Sequence, residues 1–406
     1  MNAPFFIAQR LHYKREGGDN STRPAIRIAT AGIIIGVMIM ILTLCIVIGF
    51  KQTVAQKTAL FGGHIQITHF SDNSTFELHP ITVSDSLLNI LQALPHIVSA
   101  QPFLTKPGIL KTDTDFQGIV LRAVEKDTTF AQNLIEGTMP RKNNEITLSS
   151  SLCQRLRLHC GEDVYCYFVG DELRVRKLTV SGVYATGFSE ADNLFVWCLP
   201  PVIRQLNRWD TTQASGIELH IDRLQNLQPA AEEVWFATAN RLDEDANALY
   251  TQTLEQLNPQ IFSWLDLLDM NVVIIILLML SVSVFNIISG LIILILDSVT
   301  LVGTLKALGA NNRFIKRIFL YEAAMLIGKG MLWGNIVGIG LAAVQYMTHL
   351  IPLDPTSYYV NFVPIAFPWL WIIVLNIGVL AVSMLVLLAP ATIATRISPA
   401  RVIRYD

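Results

Sequence analysis

The sequence predicts a membrane protein, with four transmembrane α-helices and a large water-facing α+β domain inserted between the first and second. Three observations predict it. Apolar runs occupy 28–50, 270–296, 330–353 and 369–390, and none contains Asp, Glu, Lys or Arg. Each exceeds the about 20 residues needed to cross about 30 Å of hydrocarbon. The stretch 51–265 between the first two runs is mainly polar. The 406 residues are 52% hydrophobic and 15% charged, against about 25% charged in a typical soluble domain. The net charge of −2 matters less than where the charges lie.

Residues 1–22 read as a cytoplasmic amphipathic segment, with Phe5, Phe6, Ile7 and Leu11 set against Arg10, Lys14 and Arg15. A flexible link at 17–21 follows. Residues 23–60 form the first transmembrane helix and its extension into water. That run is too long for the 7–15-residue core of a cleavable signal, so it is expected to stay as an anchor. The helix breaks at Gly62 and Gly63, and 64–68 alternates as a strand.

Within the 61–264 domain, helix signals fall at 85–94, 150–158 and 229–239. Strand signals fall at 118–124, 145–148, 164–169, 173–184 and 217–221, the third and fourth as a hairpin. Next come a second transmembrane helix at 265–296, a cytoplasmic loop at 297–312 and a third helix at 313–348. A short outer loop at 349–367, a fourth helix at 368–395 started by Pro364 and Pro368, and a cytoplasmic tail at 396–406 complete the chain.

Basic residues set the orientation. Arg10, Lys14, Arg15, Arg23 and Arg27 precede the first run, and Lys306, Arg313, Lys316 and Arg317 lie between the second and third. Arg396, Arg401 and Arg404 follow the fourth, while 348–367 carries no Lys or Arg. Both termini and the 297–320 region are therefore expected in the cytoplasm, with the large domain on the far side.

Of five cysteines, Cys45 reads as a packing residue in the first helix. Cys153, Cys160, Cys166 and Cys198 fall in the translocated domain, where they read equally well as disulfides or as buried thiols. No phosphate loop, H-E-x-x-H or G-x-S-x-G motif is present. Hence no catalytic residue, metal ligand or cofactor is assigned, and His64 reads as structural. Work done by this chain would draw its energy from a separate subunit.

The 297–310 loop is where such a subunit could push. It reads as a short amphipathic helix showing Leu301, Leu305 and Leu308, stopped by Gly309 and followed by a cap at Asn311 or Asn312. Gly32 with Gly36, and Gly330 with Gly334 and Gly338, would let helices approach closely, either within one chain or between two. Glu322 and Lys329 lie seven apart on one helical face, Glu322 near the interface and Lys329 deeper.

The stretch Val302, Gly303, Thr304, Leu305, Lys306, Ala307, Leu308, Gly309 and Ala310, with Ile315, Phe319, Leu320 and Glu322, resembles the loop signature of the FtsX/MacB-type ABC transporter permeases. More narrowly it is similar to the lipoprotein-releasing LolC/LolE family. Gly49-Phe50-Lys51 with 61–67 (FGGHIQI), the 186–192 turn (TGFSEAD) and 398–405 (SPARVIRY) extend the likeness along the chain. Ser298 and Leu301 depart from the basic and acidic residues that many members carry there.

The resemblance implies a MacB-like periplasmic α+β domain and an inner-membrane permease without ATPase activity of its own. Its partners would be an ATP-binding subunit dimer holding ATP and Mg, a second permease copy or homologue, a lipoprotein substrate and a periplasmic lipoprotein chaperone. The coupling site would be Val302, Gly303, Leu305, Lys306, Ala307, Leu308, Gly309 and Ala310. Depth alone suggests a substrate cavity walled by Leu44, Val47, Ile48 and Phe50 with Leu267, Met270, Ile274 and Leu278; the same residues read equally well as lipid-facing. A MacB-like exporter of peptide, toxin or drug, or an FtsX-like signalling scaffold, would share this architecture.

Overall fold

The computed structural model describes residues 3–17, 23–72, 78–113, 115–125, 130–168, 173–239 and 248–393. The terminal motif at 398–405, the basic residues Arg396, Arg401 and Arg404, and the link at 18–21 lie outside these. Two compact units result, one drawn from Met1–Phe50, Asp266–Ile351 and Pro364–Asp406, the other from Lys51–Leu265 and Pro352–Val363.

The helices in chain order are α1 (Ala3–Gly17), α2 (Arg23–Ala59), α3 (Asp85–Gln92), α4 (Ser150–Leu156), α5 (Ser189–Asp192), α6 (Pro200–Asn207) and α7 (Leu227–Thr238). They continue with α8 (Leu254–Leu257), α9 (Pro259–Asp297), α10 (Val299–Ala307), α11 (Asn312–Thr348), α12 (Pro355–Tyr358), α13 (Trp369–Val386) and α14 (Leu388–Ile393). The apolar runs sit in α2, α9, α11 and, for the fourth, α13 continued by α14, each long and apolar enough to cross a membrane. α11 ends at Thr348, where His349 turns left-handed at φ 49° and caps it.

In the helical unit, α2 is held from both sides by glycine contacts. A methyl added at Gly330 of α11 would lie 2.7 Å from Ile33 Cγ2, and one at Gly334 would lie 2.8 Å from Val37 Cβ. Gly32 and Gly36 of α2 meet Asn286 and Ser283 of α9, and Gly290 meets Ala29. The glycine series thus serves packing within the chain, letting backbones approach where no hydrophobic effect drives association. Gly49 is tighter still. A methyl there would fall 2.6 Å from the Ala366 amide nitrogen, where the chain enters α13 and Ala366 donates to the Cys45 carbonyl at 3.1 Å.

One sequence expectation for this unit changes. In α1, Pro4 and Ala8 are buried and Ile7 and Leu11 half-buried, whereas Phe5 and Phe6 are exposed. The packed face serves α11, with Phe5 edge-on to Tyr321 at 5.5 Å, so the four apolar residues do not share one membrane-facing side. Within the unit, Glu322 is 1% exposed and Lys329 is exposed.

The sheet unit is built on β1 (Ile65–His69), β2 (Ile81–Thr82), β3 (Ile97–Lys111), β4 (Phe116–Val124), β5 (Leu134–Gly137) and β6 (Glu145–Ser149). It adds β7 (Asp163–Phe168), β8 (Arg174–Tyr184), β9 (Phe195–Trp197), β10 (Gln213–Ala214), β11 (Gly216–Ile221) and β12 (Leu249–Thr253). Among the described residues the large sheet runs β12-β1-β11-β3-β4-β9-β6-β8-β5, with β7 pairing β3 and β8 and with β2 and β10 forming a separate pair. The β4/β9 and β6/β8 pairs are parallel and the others antiparallel. The predicted hairpin is the β7/β8 pair.

Long β3 was not expected, because Pro102 and Pro107 argue against a central strand. Its ladder explains how they fit. Pro102 pairs only with Ile217 of β11, and Pro107 pairs only with Val120 of β4. Each missing N–H therefore falls where β3 has one registered neighbour. The core divides into a larger cluster including Leu104, Leu121, Ile146, Leu148 and Val196, and a smaller one including Ile65, Ile67, Leu91, Leu219 and Val234. Residues 352–363, expected as part of a short outer loop, group with this unit and contain α12 and an internal Pro352–Phe362 bridge.

Candidate functional site

Three stretches singled out in the sequence become definite joints. The first is α10. Its stop is a Schellman arrangement: Gly309 at φ 92° donates to the Lys306 carbonyl at 3.0 Å, and Ala310 donates to that of Leu305 at 2.9 Å. Asn311 then caps α11 by accepting the Phe314 N–H at 2.8 Å. Two capping devices in three residues fix the direction in which α10 leaves α11.

The predicted coupling residues split by burial. Val302, 1% exposed, and Gly303 are buried in the helical core, and Leu301 and Leu305 are half-buried. Thr304, Ala307, Leu308 and Gly309 are exposed, Leu308 at 85%. The open face is therefore narrower than the predicted set, and Val302 anchors the helix from inside.

The second joint is the 61–67 stretch. The α2 helix ends with Gly63 donating to the Ala59 carbonyl at 2.8 Å while turning to φ 68°. His64 then opens the sheet by donating to the Leu219 carbonyl at 2.8 Å. Phe61 lodges among Phe130, Phe188 and Phe195, stacked on the last with centroids 5.4 Å apart. Burial and, second, neighbouring His220 push His64 down to about 4.

The third joint is the 186–192 turn. Asp192 accepts from the Thr186 hydroxyl at 2.7 Å and from the Thr186 N–H at 3.2 Å, closing the turn around Gly187 at φ 68°. Burial raises the Asp192 carboxyl above its ordinary range, against hydrogen bonds from Thr186 and Gly187. The Ser149 hydroxyl donates to the Asp192 carbonyl, and Phe188 packs edge-on against Tyr359 at 5.3 Å. The turn thus contacts both the start of α4, through the Asp192 carbonyl, and the 352–363 segment, through Phe188.

Beneath the Phe61 cluster is a feature the sequence gave no sign of. Arg122 and Glu218, both buried, form an ion pair, and Gln101 adds a hydrogen bond to Glu218 at 2.8 Å. The Arg122 guanidinium lies 4.9 Å from the Phe103 ring centre. Arg122 and Phe103, with Phe61, Phe188 and Phe195, border a cavity of about 390 Å³. In the helical unit, Asn335 of α11 and Asn376 of α13 exchange amide hydrogen bonds of 2.7 and 2.9 Å, which sequence reading also missed.

The eight residues proposed as substrate-cavity walls do not converge. Leu44 and Phe50 are buried in packing and Val47 and Ile48 are half-buried, whereas Leu267, Met270, Ile274 and Leu278 point outward from α9. Depth along a helix says nothing about azimuth, and azimuth decides which neighbours a side chain meets. The four cysteines of the sheet unit are free thiols, and burial raises Cys153 to about 11 and Cys166 to about 12.

Known proteins resemble this chain along its whole length. Residues 28–240, just over half the chain, match the MacB-like periplasmic core domain, and 273–399 match the FtsX-like permease C-terminal domain. The lipoprotein-releasing system transmembrane protein LolE of Haemophilus influenzae is 25% identical, over 99% of both chains. LolC of Xylella fastidiosa is 23% identical over the whole of both chains. The solved periplasmic region of MacB from Actinobacillus actinomycetemcomitans aligns with 52% of this chain and 98% of its own, at 14% identity and a TM-score of 0.33. The chain belongs to the FtsX/MacB-type ABC transporter permeases, with LolC and LolE proteins as its full-length relatives.

Proposed function

We propose that this chain is the permease of an inner-membrane complex that releases lipoproteins to a periplasmic chaperone, driven by ATP hydrolysis in a partner subunit. The observation that carries the reading is the exposed end of α10, with Leu308 open and Val302 locked into the helical core. A push received on Leu308 would move α10 and α11 together through the Gly309–Asn311 joint. The glycine contacts of α11 with α2 would pass that movement on. A second permease copy or homologue and an ATPase dimer complete the machine in this reading. The basic residues around α10 support an arrangement with both termini and α10 in the cytoplasm and 51–265 in the periplasm.

The cargo constrains the route. One acyl chain of about 15 methylenes is worth about 12 kcal/mol in an apolar setting, at about 0.8 kcal/mol each. Exposure of several chains to water is therefore too costly, and an apolar wall must bridge bilayer and chaperone. In this proposal Leu267, Met270, Ile274 and Leu278 of α9 form part of that wall. Depletion of the protein followed by membrane fractionation tests the reading. Lipoproteins should accumulate in the inner membrane, and unchanged sorting would refute it.

A further inference from the structure

β1 ends at His69, and β2 begins at Ile81. Three side chains of the connecting excursion come together: His69, Asp72 and His79. One ligand-type atom from each lies within 4.8 Å of the other two. His79 Nδ1 is 2.8 Å from Asp72 Oδ1, which also accepts the His79 backbone N–H at 3.0 Å. The Ser71 N–H donates to His69 Nδ1 at 3.0 Å, and the two imidazole rings stand 5.4 Å apart.

A second observation is independent of that clustering. The Asp72 side chain is only 4% exposed, and its Oδ2 has no hydrogen-bond partner. Leaving a carboxylate oxygen buried and unmatched is unfavourable, and buried charges are paired or coordinate metals. A simple His79–Asp72 pair accounts for Oδ1 but leaves Oδ2 unmatched.

Two imidazoles and a carboxylate form a donor set for Zn²⁺ and similar late divalent ions, with a fourth position left to water. Calcium and magnesium favour all-oxygen shells and are disfavoured here. We infer that His69, Asp72 and His79 bind a divalent transition-metal ion, with Zn²⁺ as the reference ligand. The ion takes the place of the direct contact between His79 Nδ1 and Asp72 Oδ1. Zinc bonds of about 2.0–2.1 Å place tetrahedral ligand atoms roughly 3.4 Å apart, so the His79–Asp72 pair is already close to the required spacing. His69 completes the site by giving up the Ser71 amide. The bound ion would fasten the end of β1 to the approach to β2.

The test uses the purified full chain in detergent, with any affinity tag removed, stripped with EDTA and titrated with ZnCl₂ by calorimetry. One saturable equivalent is expected, and His69→Ala, Asp72→Asn and His79→Ala should each weaken it about tenfold or more. Zinc should also raise the thermal midpoint of the parent protein but not that of His79→Ala. The His79 side chain is 65% exposed, so this variant keeps the test valid if Asp72→Asn misfolds. Absence of saturable zinc binding, or an unchanged titration in a His69→Ala/His79→Ala double variant, would overturn the assignment.

Discussion

Glu218 concentrates much of the sheet unit's electrostatic risk in one side chain. Burial pushes its carboxyl up, but the Arg122 charge and hydrogen bonds from His220 and Gln101 outweigh that and hold it below its ordinary range. Removing one partner of a buried pair strands the other. Glu218→Gln should therefore destabilise the sheet unit by about 3–5 kcal/mol, measured by chemical denaturation with tryptophan fluorescence. A matched apolar replacement of both partners should recover much of the loss.

His64 adds a pH dependence of the same sign. Its folded value, about 4, lies below its ordinary 6.5, and that of Glu218 is also depressed. Both contributions are complete above the ordinary values and are lost as pH falls through the folded ones. Thermal stability of the sheet unit should decline between about pH 6.5 and 4, and His64→Asn should flatten that slope. Thiol chemistry should differ within the same unit. Buried Cys166, held up at about 12, should resist maleimide until the unit unfolds.

At the scale of elements, the α10–α11 joint and the α11–α13 contact can be tested separately. Gly309 has open space around it, so a methyl there meets nothing, but φ 92° strains any other residue. Gly309→Ala should cost about 1 kcal/mol and tilt α10. The expected result is a folded permease with weakened stimulation of its ATPase partner. Leu308→Asp should impair that stimulation without loss of fold, because the side chain is 85% exposed. Full stimulation in both variants would remove α10 as the coupling element. For Asn335 and Asn376, a double-mutant cycle to Leu should give a coupling energy of about 0.6 kcal/mol, at most about 2, as for other hydrogen bonds between membrane helices.

Over the whole molecule, the periodic and extreme features were legible in the chain. Runs without a charge announced the four long helices, the Gly62-Gly63 break marked where helix gives way to sheet, and Gly309 with Asn311 gave the α10–α11 joint. Less regular elements were not legible. β3 hid behind Pro102 and Pro107, short β9 and α6 lacked a periodic signal, and the Asn335–Asn376 clasp pairs residues 41 apart. Which side of each long apolar helix packs inward was not legible either, because a wholly apolar helix carries no pattern to show it. Accessibility of single cysteines introduced at exposed positions of 51–265 and of α10 to an impermeant reagent in intact cells is the whole-chain test of orientation. Labelling of the first group but not the second is expected.

Composition and local pattern alone determined that this protein spans a membrane four times, carries an inserted α+β domain and has a capped helix after its second span, because these follow from hydrophobic length and backbone preferences acting over a few residues. Only the tertiary structure decided which glycines serve contacts within the chain, that Glu218 is buried against Arg122, which side of α10 is open, and that His69, Asp72 and His79 converge. Those outcomes depend on helix azimuth, strand order and close approach between distant segments, and no local window of sequence encodes them.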